Sequence, residues 1–312
     1  MSASGGPEVP EEVRRLAAER DDARARKHFA AADALRERIA ELGYQVTDSP
    51  QGPTFRQAAP TPDTSARMRA SDVRSLLDEP ATFDVSVHWV LQGWPEDVVR
   101  ALAAFRAHEG DRKVQYVVAD VTGADPTSFG DGVEVLSLED GTGWAAARNA
   151  GLRRSLGRIV LAVDGSVEPV GYVFGPLQEA LADPTVGVCG PFGIVSRDLR
   201  SFEESDGPDV DAIEGYLMAM RREVLQLAGL FGERFRWYRT ADIEYSFRVK
   251  DQGLRAVVVE VPVTKHEHRM WTSTPEADRE RWSKRNYNVF LDGFRGRSDL
   301  LVEPGEPGGS GA

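Results

Sequence analysis

Acidic and imidazole side chains occur close together near the C-terminus of this sequence. Asp242 stands at the start of a predicted helix, and His266 and His268 follow the next predicted strand. Carboxylate and imidazole groups can accept a proton or bind a cation. A strand that folds back beside the helix would bring both histidines toward Asp242, and their two-residue spacing would place them on one side of that strand.

Polar side chains also follow or border predicted strands in the middle of the chain. Asp120 and Asp164 each end a strand, and Arg148 and Asn149 lie on a helix between the two. Because the carboxyl ends of parallel strands meet in one crevice, we expect these side chains to converge. Each aspartate also fits a structural role in a turn, and Asn149 fits one as the partner of a neighbouring loop.

Strands and helices alternate along this part of the chain. Helices are predicted from Pro95 and over 144–154, and strands are predicted over 85–91, 114–119, 133–137 and 158–163. Alternation with short connections indicates an α/β domain in which helices flank a mainly parallel sheet. The binding crevice of such a sheet lies at the carboxyl ends of its strands.

Composition and charge narrow the class of protein. The 312 residues, 41% of them hydrophobic, suffice for one large core and a small accessory unit. The net charge of -12 argues against broad electrostatic binding of nucleic acid or anionic membranes. The single cysteine, Cys189, excludes an intramolecular disulfide and a multi-cysteine zinc site, and indicates a reducing compartment. No apolar run approaches the ~18 residues of a membrane span, so we expect a cytoplasmic protein without a transmembrane segment.

The N-terminal segment differs from the rest of the chain in residue composition and in the spacing of its apolar residues. It is rich in Ala, Arg and Glu, and its apolar side chains recur at helical spacing, at Phe29, Ala32, Leu35, Ile39 and Leu42. A break at Lys27-His28 predicts two helices in a hairpin. We therefore predict a helical hairpin with a short β tail over 11–56, a linker over 57–80, an α/β domain over 81–300 and a disordered tail over 301–312.

Five pieces of the pattern, taken in order, resemble the family 2 glycosyltransferases of the GT-A fold. They are the strand ending at Asp120; Gly143-x4-Arg148-Asn149-x-Gly151; the strand from Gly157 to Asp164; Gly215 to Arg222 with Phe231-Gly232-Glu233-x-Phe235-x6-Asp242; and Arg248-x4-Gly253. The resemblance covers about residues 82–270. It implies a GT-A-like domain that transfers a sugar, with inversion, from a nucleoside-diphosphate sugar to a hydroxyl acceptor.

The resemblance also implies a role for each matched residue. Asp120 corresponds to the carboxylate that binds the nucleotide base, and Asp164 to the first aspartate of an Asp-x-Asp motif near the ribose and diphosphate. Arg148 and Asn149 fall in the helix that borders this nucleotide-sugar pocket. Asp242 corresponds to the catalytic base, which removes a proton from the acceptor hydroxyl. The alternative is that Asp242 only stabilises the N-terminus of its helix.

Two positions depart from the family pattern. Ser166 stands in the pocket where the last carboxylate of the motif binds a divalent cation, Mg²⁺ or Mn²⁺, and Ala241 replaces the acid before the catalytic aspartate. A serine hydroxyl is a poor substitute for a carboxylate ligand, and Glu168, two residues further, is a candidate to compensate for it. The resemblance therefore implies a weakened metal site that uses Asp164 with His266 or His268.

Aromatic residues flank the predicted acidic site. Trp237, Tyr238 and Trp271 are candidates for stacking on the apolar face of an acceptor sugar, and the alternative is that they pack in the core or in an interface. Glu244 is the nearest substitute for Asp242 as a base. Neither the donor sugar nor the acceptor follows from these residues.

The N-terminal segment carries a second resemblance. From Ala30 through Leu35, Ile39 and Gly43-Tyr44 to Thr54 it looks like the C-terminal helical hairpin and β tail of cysteinyl-tRNA synthetases, over about residues 11–56. The catalytic domain and metal ligands of those enzymes have no counterpart in this sequence, so aminoacylation is not implied. The hairpin is a candidate for contact with a protein or with RNA, and its interspersed acids favour the protein.

Two other functions compete with the enzyme. A glycosyltransferase-like domain that has lost the acids at Ser166 and Ala241 would serve as a nucleotide-binding scaffold. A tRNA-linked interaction protein would use the N-terminal hairpin. Turnover of a donor that depends on Asp242 separates the enzyme from both.

Overall fold

The computed structural model describes residues 9–42, 44–49, 52–57 and 67–303, and the chain divides into two compact units between residues 65 and 66. Residues 58–66 of the predicted linker and 304–312 of the predicted tail lie outside the described residues. In the described part, no helix is long and apolar enough to cross a bilayer.

The smaller unit is a helical hairpin followed by a β-hairpin. Its elements are α1 (Glu11–Ala25), α2 (Phe29–Glu41), β1 (Tyr44–Ser49) and β2 (Gly52–Gln57). The helices separate at Lys27, whose φ of 62° is incompatible with a continuing helix. Val13, Ala17 and Ile39 are buried in the core of the unit. The prediction that Phe29 shares this apolar stripe is wrong: it is 62% exposed, because it begins α2 beside the turn.

The larger unit alternates strands and helices as predicted. Its elements are β3 (Phe83–Leu91), α3 (Pro95–Ala107), β4 (Val114–Asp120), β5 (Val133–Ser137), α4 (Trp144–Arg153), β6 (Gly157–Val163), β7 (Val167–Pro169), α5 (Phe174–Ala182), β8 (Val186–Gly190), β9 (Gly193–Val195), β10 (Glu203–Ser205), β11 (Asp209–Val210), β12 (Ala212–Ile213), β13 (Leu217–Arg221), α6 (Arg222–Leu227), α7 (Ala241–Asp251), β14 (Arg255–Val258), β15 (Val263–Lys265), α8 (Arg269–Ser273) and α9 (Glu276–Phe294).

An eight-stranded sheet organises this unit. Its strand order is β11-β14-β8-β13-β6-β3-β4-β5. The four strands β6, β3, β4 and β5 are parallel, as are β14 and β8, whereas β13 and β11 run antiparallel to their neighbours. The predicted α/β fold with a mainly parallel sheet is confirmed.

Helices cover both faces of the sheet, because successive apolar side chains of a strand point to opposite faces and each face must be buried. In β6, Ile159 and Leu161 contact the core cluster that contains residues of α3 and α5. Val160 and Ala162 of the same strand join the cluster that contains residues of α4, α6 and α7. Alternation over two buried faces explains why β6 is an almost continuous apolar run.

Two segments predicted to be irregular pack against the larger unit. Met68, inside the predicted linker, forms a parallel bridge with Leu138 just beyond β5, and Ala70 is buried in a cluster with Ala147 of α4. Leu301, predicted to begin the tail, is 7% exposed. A few apolar residues anchor each segment to the larger unit. The polar residues around them led to the prediction of irregular structure.

Candidate functional site

The carboxyl edge of the large sheet bears two aspartates. Asp120 ends β4 opposite Leu91 of β3, and Asp164 follows β6 on the other side of β3. Two strand spacings, about 10 Å, therefore separate the two chain positions. Both carboxylates lie at one edge of the sheet, where the parallel order predicts a binding crevice.

The Asp120 carboxylate is fully buried, and one of its oxygens has no partner. Oδ1 accepts hydrogen bonds from the backbone N–H and from the hydroxyl of Thr122, both at 2.7 Å. Oδ2 is buried without a hydrogen-bond partner among the described residues. Because an unpaired buried carboxylate oxygen costs free energy, this atom favours a ligand that brings an N–H donor.

Arg148 and Asn149 lie below this edge on α4. Arg148 donates to the carbonyl oxygens of His88 (2.6 Å) and Val163 (3.0 Å), and so ties β3 to β6. Asn149 donates to the carbonyl of Phe231 at 2.8 Å and accepts from its N–H at 2.9 Å. Both side chains are 2% exposed and bind the backbone of this chain. Direct contact of either one with a nucleotide stays a prediction.

Both oxygens of Asp164 face donors. Oδ1 accepts from the backbone N–H (2.8 Å) and the hydroxyl (2.5 Å) of Ser166, and Oδ2 lies 3.3 Å from Nε2 of His268. Burial would raise the pKa of Asp164, but the hydrogen bond and charge of His268 and the Ser166 donors outweigh it and hold that pKa below its ordinary value. Asp164 is therefore ionised at neutral pH.

The two histidines contact different acids. Nε2 of His266 lies 2.6 Å from Oε2 of Glu168 on β7, whereas His268 faces Asp164. The prediction that both share one side of a strand is wrong, because β15 ends at Lys265 and strand alternation stops there. Of the two, His268 is placed to act together with Asp164.

Asp242 lies in the first turn of α7, and backbone donors fix its carboxylate. Oδ2 accepts from the N–H of Gly215 at 2.8 Å, and Oδ1 accepts from the N–H of Ile243 at 2.9 Å. Thr240, just before the helix, has a φ of 69°, which is rare for a β-branched residue and marks local strain. Burial raises the pKa of Asp242, although the backbone donors and Arg239 oppose the rise. A fixed carboxylate with a raised pKa is suited to accept a proton.

One cleft joins the acidic groups. It has a volume of about 610 Å³, and Asp164, His268 and Asp242 all line it. The rings of Tyr216 and Tyr238 also line it and pack against the His268 ring, with centroids 5.8 and 4.5 Å away. A cleft of this size accommodates a small-molecule ligand.

Several predicted site residues stand outside the described lining of this cleft. They are Asp120, Arg148, Asn149, Ser166, Trp237, His266 and Trp271. Asp120 and Ser166 still lie at the same sheet edge, so their roles depend on how far a ligand extends along that edge.

Comparisons with known proteins relate this region to one family. Residues 117–245 match the family model described as glycosyl transferase family 2. This segment is similar to the family 2 glycosyltransferases. The structure of GalNAc-T7 with UDP, GalNAc and Mn²⁺ is similar to this chain, with a TM-score of 0.51 and 16% identity over 59% of this chain and 43% of that one. The predicted GT-A-like fold and the resemblance are confirmed.

A second solved glycosyltransferase matches over more of the chain with a lower score. The mannosyltransferase PcManGT from Pyrobaculum calidifontis, in complex with GDP-Man and Mn²⁺, gives a TM-score of 0.46 and 18% identity over 76% of each chain.

The smaller unit matches a different family. Residues 6–56 match the cysteinyl-tRNA ligase anticodon binding domain. The cysteine–tRNA ligase of Methanosarcina mazei is 47% identical over 58 residues, which are 19% of this chain and 12% of that protein. The ligase of Salmonella agona is 50% identical over 46 residues, which are 15% of this chain and 10% of that protein. The predicted resemblance of the hairpin is confirmed, and the chain spans about a tenth of the length of these relatives.

The aromatic residues of the glycosyltransferase domain form a packed group. Trp237 is 7% exposed, and its ring stacks on Trp271 at 5.9 Å and meets Trp282 edge-on at 5.5 Å. Tyr238 lines the cleft instead. A contact of Trp237 or Trp271 with an acceptor therefore stays a prediction, and Tyr238 has the better position for one.

The predicted site omits several residues of the cleft, among them two next to Gly215. Glu214 and Tyr216 line the cleft on either side of Gly215. Burial raises the pKa of Glu214, although Lys265, at 4.0 Å, lowers it. Two signals are available in the sequence. Gly215-Tyr216 opens one of the family-like segments, and Glu214 ends the acidic, irregular stretch over 192–214 that precedes it.

The pair of Asp164 and His268 fits a divalent cation in part. Two ligands of one octahedral ion lie about 3 Å apart, and Asp164 Oδ2 and His268 Nε2 are 3.3 Å apart. The described residues contain no group of three or more His, Cys, Asp or Glu side chains that could hold a metal. The two side chains would therefore supply two ligands, and a bound donor's diphosphate and water would have to complete the set.

Arg100 positions the turn that holds Asp164, and its removal should loosen the donor side of the cleft. It donates to the carbonyl of Gly165 (3.1 Å), pairs with Asp97 (2.8 Å) and lies 3.4 Å from Glu168. We expect Arg100→Met to lower the free energy of unfolding by about 1–2 kcal/mol and to weaken nucleoside diphosphate binding. Denaturant unfolding and calorimetry check this. Unchanged stability and affinity would show that the turn keeps its conformation without Arg100.

The pH dependence of transfer should report Asp242. A carboxylate that acts as the base works when it is ionised, and burial raises the pKa of Asp242. With Asp242 in that role, the acid limb of kcat/KM should lie above the ordinary aspartate value of about 3.9. Because the Arg239 charge lowers this pKa, Arg239→Gln should move the limb to higher pH. Glu214 also has a raised pKa, so the profile is repeated in Glu214→Gln. A profile that is flat down to pH about 4 would contradict the assignment.

Proposed function

We propose that this protein is an inverting glycosyltransferase that moves a sugar from a nucleoside-diphosphate sugar to a hydroxyl of an acceptor. The observation that carries the proposal is the position of Asp242. Its carboxylate is fixed by two backbone donors in the same cleft as Asp164 and His268. A base and an anion-binding region in one cleft are what a direct displacement needs.

The donor would lie along the carboxyl edge of the sheet. The unpaired Oδ2 of Asp120 suits an N–H of the nucleotide base. Asp164, which Ser166 and His268 orient, would face the ribose and diphosphate. Arg148 would act indirectly, because its hydrogen bonds to β3 and β6 fix the two strands that end at this edge.

A divalent cation would be held by Asp164 and His268. When bound, Mg²⁺ or Mn²⁺ neutralises charge on the leaving diphosphate. GalNAc-T7 was solved with UDP and Mn²⁺, which is consistent with this choice for the present domain. The hydroxyl of Ser166 donates to Asp164 and so orients that ligand.

In the transfer itself, Asp242 would accept the proton of the acceptor hydroxyl as that oxygen bonds to the anomeric carbon. The bond between the anomeric carbon and the diphosphate oxygen breaks, and the diphosphate leaves with the electron pair. The attack comes from the face opposite the leaving group, so the configuration inverts. Tyr238, which lines the cleft, and the stacked pair Trp237 and Trp271 are the aromatic candidates for the acceptor side.

The two departures from the family pattern leave the catalytic site intact, which favours the enzyme over a nucleotide-binding scaffold. The side chain of Ala241 is fully buried in a hydrophobic cluster, so a carboxylate there would face the core. Ser166 supports Asp164 through a 2.5 Å hydrogen bond. The catalytic carboxylate, Asp242, remains in the cleft.

A second, separate proposal concerns the smaller unit. Its match to an anticodon binding domain supports contact with RNA, and the alternative is a protein partner. Gel-shift titration of the full chain with transfer RNA tests this. Binding that is lost when residues 1–57 are removed supports RNA contact, and no binding favours the protein partner. A cytoplasmic location stays a prediction.

The enzyme proposal is tested by donor turnover. The full chain is incubated with a panel of UDP- and GDP-sugars and Mn²⁺, and released nucleoside diphosphate is measured. We expect release from one donor, stimulated by an acceptor extract, with the opposite anomeric configuration in the product. Nucleotide binding without turnover of any donor would favour the scaffold.

A further inference from the structure

A groove lined by basic residues runs along α9 beside the cleft. It has a volume of about 410 Å³, and its lining consists of Arg234, Arg281, Lys284, Arg285, Asn288 and Val289. No acid belongs to this described lining, although the protein has a net charge of -12. The basic groove therefore has a local potential opposite in sign to that of the whole molecule.

The charges of the basic groove are only partly compensated. Two of its arginines pair with acids: Arg234 with the exposed Asp292 at 2.6 Å and Arg281 with the half-buried Asp278 at 2.7 Å. Among the described residues, Lys284 and Arg285 have no ion pair or side-chain hydrogen bond. Arg281 and Arg285 are four residues apart on one helix face, where like charges destabilise a helix. A bound anion would relieve this repulsion.

The basic groove and the cleft share a wall. Lys284 lines both of them. Helix α9 is fixed in this place, since Asn286 donates to the carbonyl oxygens of Trp237 (2.8 Å) and Arg239 (2.7 Å), just before Asp242. A molecule held in the basic groove can therefore extend past Lys284 toward the carboxylate of Asp242.

The acids on either side of the basic groove favour a compact anion. Acids flank it on α9, with Asp278 and Glu280 on one side and Asp292 on the other. An extended polyanion would meet these acids, whereas one phosphate group fits between them. Guanidinium groups bind phosphate oxygens through paired hydrogen bonds, and a lysine adds a point charge.

We propose that the basic groove binds a phosphate group of the acceptor, so that the molecule receiving the sugar is phosphorylated. This inference rests on the proposed function, because it names the acceptor class of the same cleft. The phosphate lies against Arg281, Lys284 and Arg285, and the acceptor hydroxyl points to Asp242.

The test compares phosphorylated and unphosphorylated probes on the full chain. Glucose 6-phosphate, glucose and inorganic phosphate are titrated by NMR of the arginine Nε–H groups, with a nucleoside diphosphate present to fill the donor site. We expect glucose 6-phosphate to bind at least about tenfold tighter than glucose. The double variant Arg281→Gln/Arg285→Gln should lose at least about tenfold of that affinity and keep its affinity for nucleoside diphosphate.

A matched variant removes two exposed arginines elsewhere. Arg197→Gln/Arg295→Gln changes the net charge equally and should keep the phosphate affinity. Equal affinity of the wild type and Arg281→Gln/Arg285→Gln for glucose 6-phosphate overturns the proposal. Tight binding of a single-stranded RNA decamer, lost in the same variant, also overturns it, because the groove would then track nucleic acid. Absent nucleoside diphosphate binding, measured separately, refutes the donor site and not the phosphate site.

Discussion

We expect Asp242→Asn to lower the rate of sugar transfer by about 10²–10⁴-fold and to leave nucleoside diphosphate affinity within about threefold. The substitution keeps the size of the side chain and removes its capacity to accept a proton. The carboxylate lies in the cleft beside Asp164 and His268, so its loss affects the acceptor proton and spares the donor contacts. Steady-state rates and calorimetric affinities measure the two effects separately.

The stability of this variant is measured in parallel. The asparagine amide nitrogen cannot accept the N–H of Gly215 or Ile243, so one backbone hydrogen bond is lost, at a cost of about 1 kcal/mol. Glu244→Gln is the matched control, since it makes the same change two residues away. Glu244 accepts from Arg248 at 2.8 Å and is absent from the described cleft lining, so transfer should be kept. Loss of transfer in Glu244→Gln with retention in Asp242→Asn would reassign the base.

Asp164→Ala should lower kcat/KM for the donor by at least about a hundredfold. Asp164 is ionised at neutral pH and orients His268 and Ser166, so its removal affects three groups at the diphosphate position. The loss should appear mainly as a higher donor KM and a weaker response to Mn²⁺. Donor-dependent kinetics over a range of Mn²⁺ concentrations measure both.

Glu168→Gln provides the control for that variant. Glu168 is four residues away and pairs with His266 at 2.6 Å, outside the described lining of the cleft. We expect donor kinetics to change less than about fivefold in this variant. Equal losses of kcat/KM in Glu168→Gln and Asp164→Ala would mean that Asp164 and Glu168 contribute only through their negative charge.

Periodicity predicts the sheet and the aspartates at its edge correctly, because buried parallel strands are apolar runs with clear ends. The ends of β4 and β6 fix where Asp120 and Asp164 lie. Asp242 is found by the family-like spacing. Its raised pKa arises from burial within the folded unit, which no local pattern reports.

The remaining errors concern side-chain direction and single anchoring residues. His266 and His268 point to different acids because β15 ends at Lys265. Both histidines lie beyond the strand, so the alternation of side chains along a strand does not apply to them. Trp237 turns into the aromatic group while its neighbour Tyr238 lines the cleft, and composition cannot distinguish these two directions. Leu301 packs although the segment around it is rich in polar residues and glycine.

The donor site is tested by calorimetric titration of the wild-type chain with UDP, GDP, ADP and CDP, each with and without Mn²⁺. We expect one nucleoside diphosphate to bind at the carboxyl edge of the sheet, and Mn²⁺ to tighten its binding through Asp164 and His268. Binding of none of the four under either condition would contradict the donor site, and with it the glycosyltransferase activity proposed for this chain.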